Sequence, residues 1–147
     1  MDESTRDQFR DRIRSAQQPL LSLCVLGGVF SEGVDLPGAQ LIGAAVIGVG
    51  LPQINDEQNR LRRYYDQTLQ DGFSFTYRYP GMHKVLQAAG RVIRSEEDKG
   101  VILLLDERYR EFAYARLLPA HYQYQSVADC HEIHARTKDF WRAHGII

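Results

Sequence analysis

The sequence predicts an α/β domain whose mostly parallel sheet is flanked by helices. Three runs, 20–26, 40–48 and 101–105, are nearly continuous in apolar residues, as strands buried on both faces are. Stretches with helical periodicity separate them, which suits parallel strands joined by helical crossovers. The first run empties into a glycine-rich loop, Gly27 to Gly38. Loops at the carboxyl ends of parallel strands are where open α/β sheets bind ligands. With 147 residues and 44% hydrophobic content, the chain can bury one ordinary core.

The elements are expected in the following order. Ser4 to Gln17 reads as a charged surface helix with Phe9, Ile13 and Ala16 as a narrow apolar stripe, and Ser4 with Asp7 resembles a capping box. Strands are expected over Leu20–Leu26 and Gln40–Gly48. Pro52 ends the second, and Asp56 caps a helix running to Gln70. Phe73, Phe75, Tyr77 and Tyr79 then alternate with other residues. That spacing suits an edge strand or a packed loop more than a base-stacking surface. Val101–Leu105 reads as another buried strand, and a short helix over Glu111–Leu118 stops at Pro119. Tyr122–Val127 suits a further strand, and Ser126 with Asp129 caps a last helix through Arg142.

Two segments carry the candidate chemistry. Gln87-Ala88-Ala89-Gly90-Arg91-Val92-Ile93-Arg94 reads as a helix. At about 100° per residue, Gln87, Arg91 and Arg94 fall within roughly 60° of one another. Leu86, Ala89, Val92 and Ile93 point the opposite way. Two guanidiniums and an amide on a small-residue helix suit a polyphosphate. In the glycine-rich loop, Ser31 offers a hydroxyl and Glu32 and Asp35 offer carboxylates, while the glycines admit close backbone approach. Taken singly, an amphipathic helix showing arginines to solvent and a plain glycine-rich connector explain these segments as well.

Taken together, the segments resemble motifs V and VI of superfamily 2 helicases, in the DinG/XPD branch. Gly28 to Asp35 matches G-x-x-x-E-G-[IV]-D, and Gln87 to Arg94 matches Q-x-x-G-R-x-[IL]-R. Ser95 to Gly100, a strand, then Asp106-Glu107-Arg108-Tyr109 resembles the continuation of that branch. The approach Tyr79-Pro80-Gly81-Met82-His83-Lys84-Val85 is similar to bacterial members. The likeness runs from about Phe9 to Tyr122, and three ordered motifs are far more specific than one.

The resemblance implies a RecA-like fold, the second domain of a P-loop NTPase-type helicase, over residues 1–147 and incomplete at its N-terminus. The opening strand and motif IV are expected before residue 1. It implies ATP-driven translocation on single-stranded DNA, with ATP held between this domain and a first RecA-like domain. Arg91 and Arg94 would reach the phosphates, one as an arginine finger, with Gln87 orienting them or the attacking water. Gly33, Asp35 and Glu32 would contact nucleotide, and Ser31 would couple that site to the DNA path. The Mg²⁺ ligands would lie outside the chain, since it has neither a G-x-x-x-x-G-K-[ST] P-loop nor an acidic Asp-Glu-x-His box. Cys24 and Cys130 cannot supply the branch's four-cysteine iron–sulfur module. The isolated chain is therefore expected to be inactive. The alternatives are an inert helicase-like domain that docks or regulates, and an unrelated α/β phosphate-binding protein.

Composition sets further bounds. A formal net charge of −1 gives no global field toward nucleic acid, so strand contacts would be local. Arg60, Arg62 and Arg63 lie beside Tyr64 and Tyr65, but Asp56, Glu57 and Asp66 nearly neutralise them, which favours a solvated helix face over a DNA platform. Cys130, His131 and His134 lack a second ligand pair, so helix packing is favoured over a metal, and no metal site is assigned. Two cysteines without evident pairing suit a reducing cytoplasm. The longest apolar stretch, Ala39 to Leu51, is broken by glycines and falls short of a membrane span.

Overall fold

The computed structural model describes residues 2–28, 41–95 and 97–146. The chain divides into two compact units, Met1–Leu117 and Leu118–Ile147.

The first unit opens with α1, Glu3–Arg14. Its cap is Asp2, whose carboxylate accepts from the Thr5 N–H at 2.8 Å, so the expected Ser4 box is displaced by a residue already extended and aimed at the third helical amide. The helix also stops short of Gln17. The expected strand at Leu20–Leu26 is absent: residues 19–25 have no regular structure, and Leu21, Leu23 and Val25 are 80% or more exposed. Apolarity drives burial but does not name a pairing partner. No strand among the described residues pairs with this run.

Strand β1, Gly43–Ile47, lies within the expected span and pairs in parallel with β2, Val101–Leu105. The register runs from Gly43 opposite Val101 to Ile47 opposite Leu105. One hydrogen bond extends the ladder at each end, Val101 N to Ile42 O and Gly48 N to Leu105 O. Among the described residues this is the whole sheet. It is parallel, with helices flanking it, as the sequence predicted.

Helix α2, Asp56–Leu69, begins one residue before the expected cap acts: Asn55 is the cap, accepting from Gln58 N at 2.8 Å. Asp56 and Glu57 instead occupy the first turn, where carboxylates favour the helix dipole. Gln70 turns left-handed, and Asp66 accepts from Gly72 N at 2.7 Å to close the corner.

The alternating aromatics form neither an edge strand nor a loop. Residues 72–89 are helical throughout, with a π-helical turn at Ser74–Arg78 leading into α3, Tyr79–Ala89. Pro80 has no N–H to offer residue 76, and the turn widens just upstream of it. On this helix the rings pair at i, i+4. Phe73 meets Tyr77 at 5.6 Å and Phe75 meets Tyr79 at 5.1 Å. The first pair turns inward, with Tyr77 buried; Arg78 lies over the Phe73 and Tyr114 rings.

Helix α3 supplies the centre of the core. Met82, Val85 and Ala89 are buried with Val46 and Val49 from the β1 side, and with Tyr109 and Tyr114. Gly81 allows the contact: a Cβ there would lie 2.5 Å from the Val49 carbonyl oxygen. Across the gap Gly50, with φ +63, would place a Cβ 2.8 Å from the Gly81 carbonyl. After β2, Asp106 starts a 3₁₀ turn, Glu107–Arg110, by accepting from Arg108 N, and the Arg108 side chain returns two further bonds to the same carboxylate. Tyr109 donates its hydroxyl to the Gly48 carbonyl at 2.7 Å, tying this turn to the end of β1. Helix α4, Phe112–Ala115, is shorter than the expected Glu111–Leu118: Leu117 N bonds to Tyr114 O in the tighter i→i−3 pattern, where the α-helical ladder ends.

The second unit holds α5, Cys130–Ala143, capped by Asp129, which accepts from Glu132 N at 2.9 Å. Glu132 reaches back to Ala128 N and forward to Arg136. No strand forms at Tyr122–Val127; residues 122–128 are irregular, and Gln125 is held by the Arg136 guanidinium instead.

Two outcomes test this core. Gly81→Ala forces backbone apart at a contact with no flexible neighbour and should cost about 1–3 kcal/mol, read as a lowered Tm. Burial pushes the Tyr109 phenol up to about 12. A raised folded pKa means its contribution is intact below the ordinary tyrosine range and is lost as pH rises through about 12. Tyr109→Phe should lose about 1 kcal/mol at neutral pH and show a weaker alkaline unfolding step in a pH-dependent melt.

Candidate functional site

The expected eight-residue helical face is split in two. Gln87 lies on α3, but the helix ends at Ala89. Arg91 N then bonds to Ala88 O and Val92 N to Ala89 O, the tighter i→i−3 pattern. Arg91 is thus in a turn, and Arg94 is beyond it and exposed. The physical reason is Val92, which the turn buries to 3% exposure against Gly100, where a Cβ would collide with its Cγ1.

Asp98 fixes the segment that carries Arg94. Its Oδ2 accepts from both Arg94 N and Ser95 N at 2.9 Å, and these bonds hold its carboxyl below the ordinary carboxylate range. The Arg94 Nε donates to the Arg91 carbonyl at 3.2 Å. The two arginines are therefore linked through backbone rather than by a shared helical face.

Gln87 is paired, Nε2 to His83 Nε2 at 3.0 Å. Both line a shallow depression of about 550 Å³ with Phe75, Tyr79, Pro80 and Lys84. The Lys84 stem lies against Gly27, so that a Cβ there would be 3.0 Å from Lys84 Cδ. Gly27 has φ +77 and is the third residue of the turn in which Gly28 N bonds to Val25 O. The structure thus brings the start of the glycine-rich loop beside the helix that bears Gln87. Ser31, Glu32, Gly33 and Asp35 lie outside the described residues.

Sequence reasoning missed three participants. His83 was legible as the residue one turn before Gln87, and Asp98 as a carboxylate four residues after Arg94. Lys84 had no signal in sequence, because its contact with Gly27 is tertiary. The Asp106–Arg108 pair was legible as a motif, but its observed work is to build the turn that carries Tyr109. Its bidentate geometry raises the Arg108 pKa, the Asp106 hydrogen bond being the main cause.

Cys130, His131 and His134 are exposed on α5, so helix packing does not explain them. Among the described residues, no cluster of His, Cys, Asp and Glu is arranged to hold a metal. Nor is any described helix long and apolar enough to cross a membrane.

Residues 1–125 match the family described as the helicase C-terminal domain. The chain belongs to this family. This helicase domain is 33% identical over 115 residues to the ATP-dependent DNA helicase chl-1 of Caenorhabditis elegans, covering 76% of this chain and 14% of that protein. It is 35% identical over 124 residues to the regulator of telomere elongation helicase 1 homolog of Drosophila ananassae, covering 78% of this chain and 12% of that protein. The homolog in Caenorhabditis briggsae matches at 32% over 96 residues, 59% of this chain and 10% of its own length. The helicase domain thus spans only a small part of these relatives. They are nematode and fly proteins, so the likeness is not confined to bacterial helicases.

The Asp98 clasp is open to test. With a depressed folded pKa, its hold persists above the ordinary carboxylate range and is lost as pH falls through the folded value. Asp98→Ala should move the Arg94 and Ser95 amide resonances at neutral pH to the positions that wild type reaches only in acid.

Proposed function

We propose that this chain is the second RecA-like motor domain of an ATP-dependent DNA helicase of the DinG/XPD branch, acting as one domain over residues 1–147. The bacterial type within that branch rests on Tyr79 to Val85 alone. The observation that carries the reading is the meeting of Gly27, where the motif V loop departs, with Lys84 on the helix that bears Gln87. In this reading motifs V and VI form one half of an ATP site, and a first RecA-like domain supplies the other.

The donor set suits a polyphosphate. Arg91, Arg94 and Gln87 offer guanidinium and amide N–H groups, and the nearby carboxylate of Asp98 is occupied by backbone N–H groups. Arg94 and Arg91 bind the terminal phosphates of ATP, one as the arginine finger, and stabilise charge as the phosphoryl group transfers. Gln87, steadied by His83, orients the arginines or the attacking water. Gly33, Asp35 and Glu32 contact nucleotide from motif V, and Ser31 links that contact to single-stranded DNA. Mg²⁺ is held by the first domain. Closure of the two domains and their reopening move the strand. Such an enzyme works in DNA repair in the reducing cytoplasm and takes no iron–sulfur cluster from this chain.

The test is ATP hydrolysis by the full-length parent, wild type against Arg94→Ala, with and without single-stranded DNA. Loss of about 10³-fold in DNA-stimulated turnover, with an unchanged melt, supports the assignment; equal rates remove Arg94 from the site. The 147-residue chain alone should show no turnover, and hydrolysis by it that Arg94→Ala abolishes would overturn the half-site.

A further inference from the structure

Two sequence features with no assigned role are joined in the first unit. Tyr64 and Tyr65 come from α2, Phe75 and Tyr79 from the π-turn and α3. Their rings form a row: Tyr64 to Tyr65 at 5.4 Å, Tyr65 to Phe75 at 5.3 Å and Phe75 to Tyr79 at 5.1 Å. Tyr64 is 58% exposed and Phe75 38% exposed. The row ends in the depression that holds His83, Lys84 and Gln87, and among the described residues no carboxylate lines it. Arg116 places its guanidinium 3.4 Å from the Tyr79 hydroxyl.

We propose that this aromatic row, flanked by Lys84 and Arg116, is a stacking track for single-stranded DNA that leads to motif VI. The inference deepens the proposed function and rests on it for the identity of the strand. Each component matches one part of a nucleic acid. Exposed ring faces accept bases without regard to sequence, and flanking cations follow the phosphates. A core-building aromatic cluster would hide its rings; here Tyr64 and Phe75 stay open and Tyr65 and Tyr79 are half-buried, while the inward pair, Phe73 and Tyr77, serves the core. A mononucleotide site needs one stacking surface. Tyr64 and Phe75, linked through Tyr65, offer two exposed rings for separate bases, which is what a strand presents. The chain's near-neutral charge makes this contact local, so its affinity depends on stacking as well as on salt.

The test uses the 147-residue chain and a fluorescein-labelled oligothymidylate of about fifteen nucleotides, followed by anisotropy at low salt. Tyr64→Ala should weaken binding about tenfold while Tyr64→Phe keeps it, since a ring face is what the base needs. Lys84→Glu should weaken binding and flatten the salt dependence by about one unit of slope. Lys84 lies one turn beyond Gly81 on α3, so circular dichroism checks that each variant is folded. Absence of binding, equal affinity of Tyr64→Ala and wild type, or complete displacement of the oligonucleotide by ATP would each overturn the track. The last result would assign the surface to a mononucleotide. No hydrolysis is measured, so failure here leaves the Arg94 assignment standing, and failure of the parent ATPase test leaves this binding result standing.

Discussion

Backbone meets backbone where α3 crosses the end of β1, and the rest of the first unit is organised around that approach. Gly81 and Gly50 face each other so closely that neither has room for a Cβ. Side chains normally hold a helix about 8–10 Å from its neighbour; removing them lets α3 settle onto the segment after β1. Met82 and Val85 then fall next to Val49, and all three are almost fully buried. A helix seated one residue further along its axis would take Met82, Val85 and Ala89 from their buried positions. The position of the candidate site is thus set by packing two turns away.

A second close approach sets the other half of the site. Val92 over Gly100 pulls the chain out of helical geometry just after Ala89 and feeds it toward β2. That diversion separates Gln87 from Arg91 and Arg94, which an ideal helix would have kept on one face. Asp98 compensates by gathering the Arg94 and Ser95 amides onto one carboxylate oxygen. The arginine-bearing turn is therefore held by local hydrogen bonds, whereas Gln87 is held by the core through α3.

The surface ion pairs add little to this frame. Arg10–Asp7 and Arg62–Asp66 are exposed i, i+3 and i, i+4 pairs of a kind worth about 0–1 kcal/mol. Asp106 and Arg108 differ in kind, since two parallel bonds and a backbone cap shape the turn that delivers Tyr109 to Gly48. The aromatic residues also divide by role: Tyr77, Tyr109 and Tyr114 close the core, while Tyr64 and Phe75 remain open to solvent.

The sequence by itself determined the α/β class, a strand within Gln40–Gly48 and one at Val101–Leu105, a helix beginning near Asp56 and a last helix running to about Arg142, and the helicase kinship. Those features reside in runs of local chemistry, where apolar continuity, caps and ordered motifs can be read without knowing what packs where. It misjudged Leu20–Leu26 because a strand exists only with a partner, and partner identity is not written in the run. It misjudged Phe73–Tyr79 because alternation in sequence does not fix the backbone, and the helix of residues 72–89 recast period two as i, i+4 pairs. Only the tertiary structure decided that the face of Gln87, Arg91 and Arg94 is broken after Ala89, that Lys84 lies on Gly27, and that rings from two helices form one row. Each of those is a contact between residues distant in sequence or a local geometry imposed by such a contact, and periodicity carries no information about it.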